Sequence, residues 1–317
     1  MEKMISRDQP KNKTTKDSQA LKLQHPVCTL ENMELLPAGC MLTPETLQSI
    51  ISSNKTSKPK TYSLLDYGST KKDLLYFLKI PPYQAIFKDR KLVSDLVQLM
   101  ENVSLALPFL ESLDYFVQYD TYTYRHILMV FALSTLMAKD IVSDYKLRIK
   151  RVSTSPSHDL GKTCIPLNVL KKTTPLTKAE YKTLEHHTTA GYVLITYYQR
   201  NCLDLAAVVA RDHHEKKNGT GYPRGIELKD LLVEIIAACD VYDALVSPRP
   251  YRPVSFDNRS ALEEITSRAQ RNEINWEVVK LLIAYNRKNN NGQLKTNISL
   301  EKRGAEPPGN IYGKIAE

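Results

Sequence analysis

Glycine, tryptophan and paired cysteines are all scarce in this chain of 317 residues. There are only 11 glycines and one tryptophan, and the low glycine content argues against an architecture rich in strands and tight turns. The five cysteines are odd in number and form no C-x-x-C pair, which argues against a disulfide framework or a zinc knuckle. Reduced thiols of this kind are typical of a cytoplasmic protein.

Long apolar runs are also missing. The longest nearly apolar stretch, ILMVFALSTLMA at 127–138, has 12 residues and is too short to cross a bilayer. The first residues, MEKMISRDQPKNK, are charged and lack the apolar centre of a signal peptide. The sequence therefore predicts a cytoplasmic protein without a membrane span.

The net charge of +9 is distributed unevenly. Residues 146–182 carry nine lysines and arginines against two acidic residues, whereas residues 201–250 carry six against eight. A basic segment beside a carboxylate-bearing one suits a metal site that receives an anion, although a solvated lysine face gives the same counts. No recognised nucleic-acid motif accompanies the charge, so a nucleic-acid polymer is not an expected partner.

Composition divides the chain into four regions. Residues 1–20 are polar and lysine-rich and predict a disordered tail. Residues 21–90 predict a small N-terminal domain of α or α+β type with a regulatory role. Residues 91–288 predict one helical domain, and residues 289–317, with NNNGQ and EPPGN, predict a flexible C-terminal tail. The expected fold class is therefore mainly α.

Apolar residues recur at three- and four-residue spacing through the helical region. The first helix begins near Lys91, and Pro108 is expected to bend or end it. Thr177 and Glu180 form a capping-box pattern at the start of another. The remaining pattern predicts helices at about 122–138, 177–198, 203–215, 229–247, 257–271 and 276–288.

Histidines and aspartates fall at separated points of this helical region. A single helical histidine is more often structural, but an HD pair places an imidazole beside a carboxylate, and an HH pair at a helix end offers two more ligands. Mixed histidine and carboxylate ligands without thiolates suit iron or manganese and, less specifically, zinc. We expect a metal cluster across a helix bundle. Its candidate ligands are His126, His158, Asp159, His187, His213, His214 and Asp240.

Four motifs carry a resemblance to a known family. They are HDLGKTCIP at 158–166, LTKAEYKTLEHHTTAG at 176–191, HHEKKNGTGYPRG at 213–225 and DVYDALVSPRPYR at 240–252. In this order and spacing, over roughly residues 122–255, the chain resembles the HD-GYP domain. That domain is a branch of the HD metal-dependent phosphohydrolases and degrades cyclic di-GMP. The resemblance implies an HD-superfamily helical bundle.

The resemblance also implies a ligand set for two divalent metal ions, most simply iron and alternatively manganese. One ion would be held by His126, His158, Asp159 and Asp240. The other would be held by Asp159, His187, His213 and His214, so that Asp159 bridges the two. Many family members hold a third metal with a glutamate at the position of Tyr122, so we expect two metals here.

The implied activity is hydrolysis of cyclic di-GMP to pGpG and onward to GMP by a metal-bridging hydroxide, with Asp159 and Lys162 as catalytic residues. Lys162, on a continuing helix, would share a face with Asp159 and contact the scissile phosphate. Asp243 would contact the nucleotide or orient a ligand, and the two arginines of the RPYR motif would grip phosphate or form a structural salt bridge. The expected substrate contacts are Lys162, Gly221, Tyr222, Asp243, Arg249 and Arg252.

Two alternatives stay open. In the first, the chain is a weakly active or inactive relative that binds cyclic di-GMP and signals through a protein partner. The segment KLRIKRVSTSPS at 146–157 favours it, because this segment is polar and basic where the family usually has an apolar helix. In the second, the chain is another HD enzyme, such as a nucleotidase or a diiron oxygenase. The GYP loop and the RPYR motif argue against that.

Overall fold

The computed structural model describes residues 21–55, 59–248, 254–287, 298, 300–310 and 315–316. Helices dominate these residues, and their strands form three short antiparallel pairs, β1–β4, β2–β3 and β5–β6, which confirms the mainly α expectation. The strands are β1 (Leu21–Lys22), β2 (Val27–Cys28), β3 (Glu34–Leu36), β4 (Met41–Leu42), β5 (Thr61–Ser63) and β6 (Ser104–Ala106). Within these ranges, no helix combines the length and apolar character that a membrane crossing needs.

Twelve α-helices follow one another through the described residues. The first six are α1 (Pro44–Ser53), α2 (Thr70–Phe77), α3 (Arg90–Met100), α4 (Leu107–Tyr119), α5 (Thr121–Ile141) and α6 (Tyr145–Val152). The last six are α7 (Leu167–Leu170), α8 (Lys178–Gln199), α9 (Leu205–Asp212), α10 (Leu231–Val246), α11 (Asn258–Gln270) and α12 (Trp276–Asn286). Short 3₁₀ turns occupy Tyr83–Ala85, Ser155–Ser157 and Leu160–Cys164.

Side-chain caps fix where the site-bearing helices begin. The capping box at α8 is confirmed: the Thr177 hydroxyl accepts from the Glu180 N–H at 3.2 Å, and a Glu180 carboxylate oxygen accepts from the Thr177 N–H at 2.7 Å. Asp230 caps α10 by accepting the N–H groups of the second and third helical residues. These caps satisfy otherwise unpaired amides and set the phase of each helix.

Helix α5 forms the centre of the bundle. Its residues from His126 to Ala138 are all buried, because the sequence is apolar around nearly the whole helix. Helices α4, α10 and α12 pack against it, as do α2, α3 and α6. The burial of α5 places His126 in the protein interior, one turn from the start of the helix.

The expectation that Pro108 bends or ends the helix begun near Lys91 was wrong. Helix α3 already ends at Met100, strand β6 follows, and Pro108 lies in the first turn of α4. A proline is tolerated there because the first N–H groups of a helix have no intrahelical acceptor. The sequence pattern had also missed helices α4 and α6.

The N-terminal region packs on the helical region. Buried side chains such as Leu64, Ile86 and Tyr83 belong to the same hydrophobic core as the bundle helices. The buried Asn54 side chain donates to the backbone carbonyl of Tyr197 on α8 at 2.9 Å. The two regions therefore share one core. That residues 21–90 form a separate domain stays a prediction.

The expected tails lie largely outside the described residues, including 1–20 and 289–297. The C-terminal segment 300–310 is described and lies against α11. The backbone N–H groups of Arg303 and Gly304 both donate to the Glu263 carboxylate, at 3.1 and 2.8 Å. This part of the expected tail thus makes defined contacts with the helical region.

Candidate metal centre

All seven predicted ligand residues meet at one place in the bundle. His126 comes from α5, His187 from α8 and Asp240 from α10. His158 and Asp159 lie between two 3₁₀ turns, and the two remaining histidines follow the C-terminal end of α9. Six of the seven side chains are buried, and His214 is partly exposed.

The donor atoms form two groups. The ligand atoms of His126, His158 and Asp159 lie within 4.8 Å of one another, and so do those of His187, His213 and His214. Clusters of nitrogen and carboxylate donors with this spacing fit divalent cations.

Asp159 lies between the two groups and offers one oxygen to each. Its Oδ2 lies 3.4 Å from Nε2 of both His126 and His158. Its Oδ1 lies 3.6 Å from Nε2 of His187 and 3.9 Å from Nε2 of His213. This is the geometry that a bridging carboxylate requires.

Asp240 also reaches both groups, although the resemblance assigned it to one metal. Its Oδ1 lies 3.0 Å from Nε2 of His126, and its Oδ2 lies 3.7 Å from Nδ1 of His214. The two aspartates therefore carry four oxygens into a space otherwise lined by imidazole nitrogens.

Backbone carbonyls set the tautomers of three histidines. The Nδ1 atoms of His158, His187 and His213 lie 2.8, 2.6 and 3.0 Å from the carbonyl oxygens of nearby residues. A carbonyl only accepts, so each Nδ1 donates and leaves the Nε2 lone pair facing the cluster. These three imidazoles are thus oriented as metal ligands by the protein backbone.

Burial and charge set the protonation of the cluster. Burial lowers the pKa of His158 to about 4 and of His187 to about 3, which keeps both rings neutral. Burial alone would raise the pKa of Asp159, but the charge of the adjacent Lys162 ammonium is the largest of the effects that hold it well below its usual range. Neutral imidazoles and ionised carboxylates are the forms that ligate metals.

His126 is the exception, because two aspartates flank its ring. Burial lowers its pKa, but hydrogen bonds to Asp240 and Asp243 outweigh burial and raise the pKa to about 9. Its Nδ1 lies 2.7 Å from Oδ2 of Asp243 and its Nε2 faces Asp240. This arrangement of carboxylate, histidine and ligand site is the one by which proteins orient metal-binding imidazoles.

Lys162 lies on a 3₁₀ turn, so the expected continuing helix after the dyad was wrong. A 3₁₀ turn has three residues per turn and places Lys162 directly over Asp159. The Lys162 ammonium donates to Oδ2 of Asp159 at 2.6 Å and also lines the cavity beside the cluster. The lysine therefore holds the bridging carboxylate and faces the space that a substrate would occupy.

The glycine loop closes over His214. Gly219 and Gly225 have positive φ values of 73° and 64°, which suit glycine. At Gly221 a Cβ would lie 2.4 Å from the carbonyl oxygen of His214, so only glycine fits. The next residue, Tyr222, stacks on the His214 ring with centroids 4.7 Å apart.

Glu215 holds this loop, and the sequence interpretation had missed it. Its carboxylate oxygens accept the backbone N–H groups of Arg224, Gly225 and Ile226 at 2.6, 3.2 and 3.1 Å. The signal in the sequence was an acidic residue directly after the paired histidines, ten residues before a glycine.

A cavity of about 510 Å³ opens beside the cluster. Its volume falls in the usual range for small-molecule sites. Its lining includes Lys162, His187, His214, Tyr222 and Asp240, together with Gly221. Tyr122, at the position of the family glutamate, also lines it and stacks on His126 with ring centroids 6.0 Å apart.

Asp243 lies behind His126 and outside this cavity. It is fully buried, accepts from the Tyr83 hydroxyl, and accepts from the Ser247 hydroxyl at 2.9 Å. This position does not fit a nucleotide contact, and it fits the alternative role of orienting a ligand. Arg249 and Arg252 lie outside the described residues.

Comparison with known proteins finds a matching family model and several similar proteins. The family model described as HD domain matches residues 129–278. A cyclic di-GMP phosphodiesterase of Thermotoga maritima is 35% identical over 158 residues, covering 49% of this chain and 42% of that protein. The cyclic di-GMP phosphodiesterase response regulator RpfG of Xanthomonas campestris is 39% identical over 113 residues, covering 35% of this chain and 30% of that protein.

A third relative is named for a different cyclic dinucleotide. The 3'3'-cGAMP-specific phosphodiesterase 1 of Vibrio cholerae is 33% identical over 134 residues, covering 41% of this chain and 30% of that protein. The chain thus covers less than half the length of each of these three relatives. A solved structure, Bd1817, a HDG"Y"P protein from Bdellovibrio bacteriovorus, covers 83% of this chain and 94% of that chain. With a TM-score of 0.44 and 16% identity, this similarity is too weak to show a shared fold.

Proposed function

We propose that the chain is a member of the HD-GYP family of HD-domain proteins and a metal-dependent phosphodiesterase that hydrolyses cyclic di-GMP. One observation carries the proposal. Asp159 presents one oxygen to each of two groups of buried ligand atoms, and a cavity with a lysine on its wall lies beside them. A phosphodiester needs both a paired cation site and room for its nucleosides.

The residues present fit two divalent cations. Three imidazole lone pairs are oriented by backbone carbonyls, a fourth imidazole is oriented by Asp243, and two aspartates reach both groups. Cations bound there would lower the pKa of a water molecule to near neutrality and offset the charge of the phosphodiester. The nitrogen and oxygen donor set, without a thiolate, favours iron and alternatively manganese. With Tyr122 in place of a carboxylate, the proposal is for two ions.

The chain's own side chains supply the remaining steps. Lys162, held by Asp159 on the cavity wall, donates to a non-bridging phosphate oxygen. Gly221 and Tyr222 bring the loop backbone and an aromatic ring to the nucleotide. Hydrolysis adds the oxygen of water to phosphorus, breaks the bond to the 3′-oxygen of one ribose and leaves a proton on that oxygen. The product is linear pGpG, and a second cut yields GMP.

We also propose that the protein is cytoplasmic, because its cysteines have the pattern of reduced thiols. The phosphate-gripping role expected for Arg249 and Arg252 stays part of the proposal. The alternative of a binding module with a signalling protein partner is not favoured. Four of the proposed ligand residues, His187, His213, His214 and Asp240, line the cavity, and the ligand atoms of His126, His158 and Asp159 cluster within 4.8 Å of one another.

The test is an assay of the full chain with a matched substitution. The protein is purified without oxygen, its bound iron and manganese are measured, and the conversion of cyclic di-GMP is followed by chromatography. We expect Asp159→Ala to abolish turnover while the circular dichroism spectrum is kept. Asp95→Ala is the control, since Asp95 is an exposed aspartate that also pairs with a lysine, at 3.7 Å. Binding of cyclic di-GMP without any product, at full metal loading, would contradict the enzyme proposal and support the binding module.

A further inference from the structure

The cavity extends from the metal centre along one flank of α8. Tyr181, Leu184 and Glu185 line it there, and Leu176 from the preceding loop lies on the same wall. Tyr181 and Glu185 are four residues apart and hence share a helix flank one turn apart. This side compartment therefore combines apolar and aromatic walls with one carboxylate, a composition that suits a flat heterocycle with polar edges.

Glu185 is the least engaged carboxylate on the cavity wall. Six acidic residues of the described chain line the cavity: Asp120, Glu185, Glu215, Glu234, Asp240 and Glu273. Asp120 caps α5, and Asp240 belongs to the cluster. Glu215 accepts three loop amides, as described above.

The other two accept hydrogen bonds from neighbouring side chains. Glu234 accepts from the Asn275 amide at 2.8 Å, and Glu273 accepts from the Arg271 guanidinium at 2.6 Å. Glu185, in contrast, pairs within the described part of the chain only with Lys182, at 3.4 Å, and that lysine is 71% exposed. Such an exposed pair contributes little, so a ligand can displace it at small cost.

Glu185 also lies near the residues that would hold the nucleotide. Glu185 and Tyr222 line the same cavity. The Tyr222 ring stacks on His214 at the metal centre, and Glu185 lies two residues before His187 on α8. A nucleotide whose phosphate lies at the centre has this part of the cavity, with Tyr222 and Glu185 on its wall, available for its base.

We propose that Glu185 binds the Watson–Crick edge of one guanine of the cyclic dinucleotide and selects guanine over adenine at this subsite. The inference rests on the proposed function and adds a determinant of substrate choice. Guanine presents two adjacent donors on this edge, N1–H and the 2-amino group, and a carboxylate presents two adjacent acceptors. Adenine presents a lone pair at N1, which a carboxylate disfavours, so the wrong base leaves the carboxylate unpaired.

The test compares three cyclic dinucleotides with the full, metal-loaded chain: cyclic di-GMP, cyclic di-AMP and cyclic di-IMP, whose hypoxanthine lacks the 2-amino group. We expect the ratio of kcat/KM for cyclic di-GMP to that for cyclic di-AMP to fall about ten- to a hundredfold in Glu185→Gln. The preference for cyclic di-GMP over cyclic di-IMP should shrink in the same variant. A merely structural role would lower all three rates together, and that result would overturn the proposal.

Two further variants serve as a control and as a substitute for Glu185→Gln. Glu277→Gln is the matched control, because Glu277 is a helical glutamate that also pairs with a lysine three residues away, at 2.7 Å, outside the cavity. It should leave every ratio unchanged. Should Glu185→Gln fail to fold, Glu185→Asp keeps the charge but shortens its reach and should lower the guanine preference partway. An unchanged preference in the folded variant would contradict the proposal.

Binding measurements separate this inference from the proposed activity. If the wild-type chain turns over none of the three compounds, their dissociation constants are measured by equilibrium dialysis. A guanine preference that Glu185→Gln removes would then support the subsite and refute the phosphodiesterase. Failure of the wild-type chain to bind any of the three would overturn both.

Discussion

Gly161 lies so close to His187 that a Cβ placed on Gly161 would be 1.9 Å from the His187 carbonyl oxygen. The same Cβ would be 2.4 Å from the backbone N of Gly191. The turn that follows the histidine–aspartate dyad therefore packs directly on the backbone of α8. This contact sets the separation between Asp159 and His187, and so the span between the two donor groups.

The close contact makes Gly161→Ala a sharp test of the centre. Because the clashing atoms belong to the backbone, they cannot rotate away, and we expect destabilisation of about 1–3 kcal/mol or more together with loss of bound metal. Gly191→Ala is the graded comparison, since its Cβ would meet the Ala210 side chain at 3.2 Å. Thermal unfolding and metal content check both variants. A Gly161→Ala protein as stable and metal-rich as the wild type would contradict the described packing.

Asp243 is predicted to raise metal affinity through His126. Asp243→Ala removes the acceptor for His126 Nδ1 and leaves the Tyr83 hydroxyl without its partner. We expect metal affinity to fall about ten- to a hundredfold, as is usual when the partner of a ligating histidine is lost. Competitive titration with a chelator measures it. Tyr242→Phe is the control, because it removes buried hydrogen bonds of the same helix that do not reach the cluster; equal losses in both variants would refute the role.

Six of the seven clustered side chains were predictable because they stand in short, ordered motifs; His126 lies outside these motifs, and the family resemblance pointed to it. The buried position of Asp243 behind His126 could not be predicted in this way. Asp240 and Asp243 are three residues apart and share a helix face, so their spacing predicts the same environment for both. In the structure one lies at the cavity and the other behind His126, where α10 packs against α5. That packing joins segments distant in the chain, which no local sequence pattern records.

The structure of the N-terminal region could not be predicted for a related reason. Its strands have two or three residues each, too few to show the alternation that marks a strand. Tyr83 reads as one aromatic residue after a pair of prolines, although its hydroxyl binds Asp243 in the interior. Helix α4 was missed because a proline near its start was interpreted as an end, when the same residue also favours a first turn.

Metal stoichiometry should separate the two donor groups. His214 belongs to one group only, so His214→Ala is expected to lower bound metal from two ions per chain to about one. Asp159→Ala should reduce occupancy of both groups, since its two oxygens face both. Elemental analysis of protein purified with excess iron or manganese gives the ratio. Three ions in the wild type would contradict the expectation drawn from Tyr122.

Glu215 is predicted to act on substrate binding and not on the metals. Glu215→Gln weakens acceptance of three loop amides and should loosen the loop that carries Gly221 and Tyr222. We expect KM for cyclic di-GMP to rise about tenfold with metal content unchanged. The control is Glu227→Gln, an exposed residue at the end of the same loop. A loss of metal with no change in KM would show that the loop anchor had been misassigned.

Cooperative unfolding tests whether residues 21–90 and the helical region are one unit. Leu64 and Leu281 are both fully buried in the same core, the first in the N-terminal region and the second in α12. Truncation of either to alanine should cost about 2–5 kcal/mol. If the core is shared, both substitutions lower the midpoint of a single transition, whether it is followed by helix content or by metal release. If residues 21–90 are a separate domain, Leu64→Ala produces an early transition that leaves the metal centre intact, and the regulatory role expected for this region would then require a movable interface.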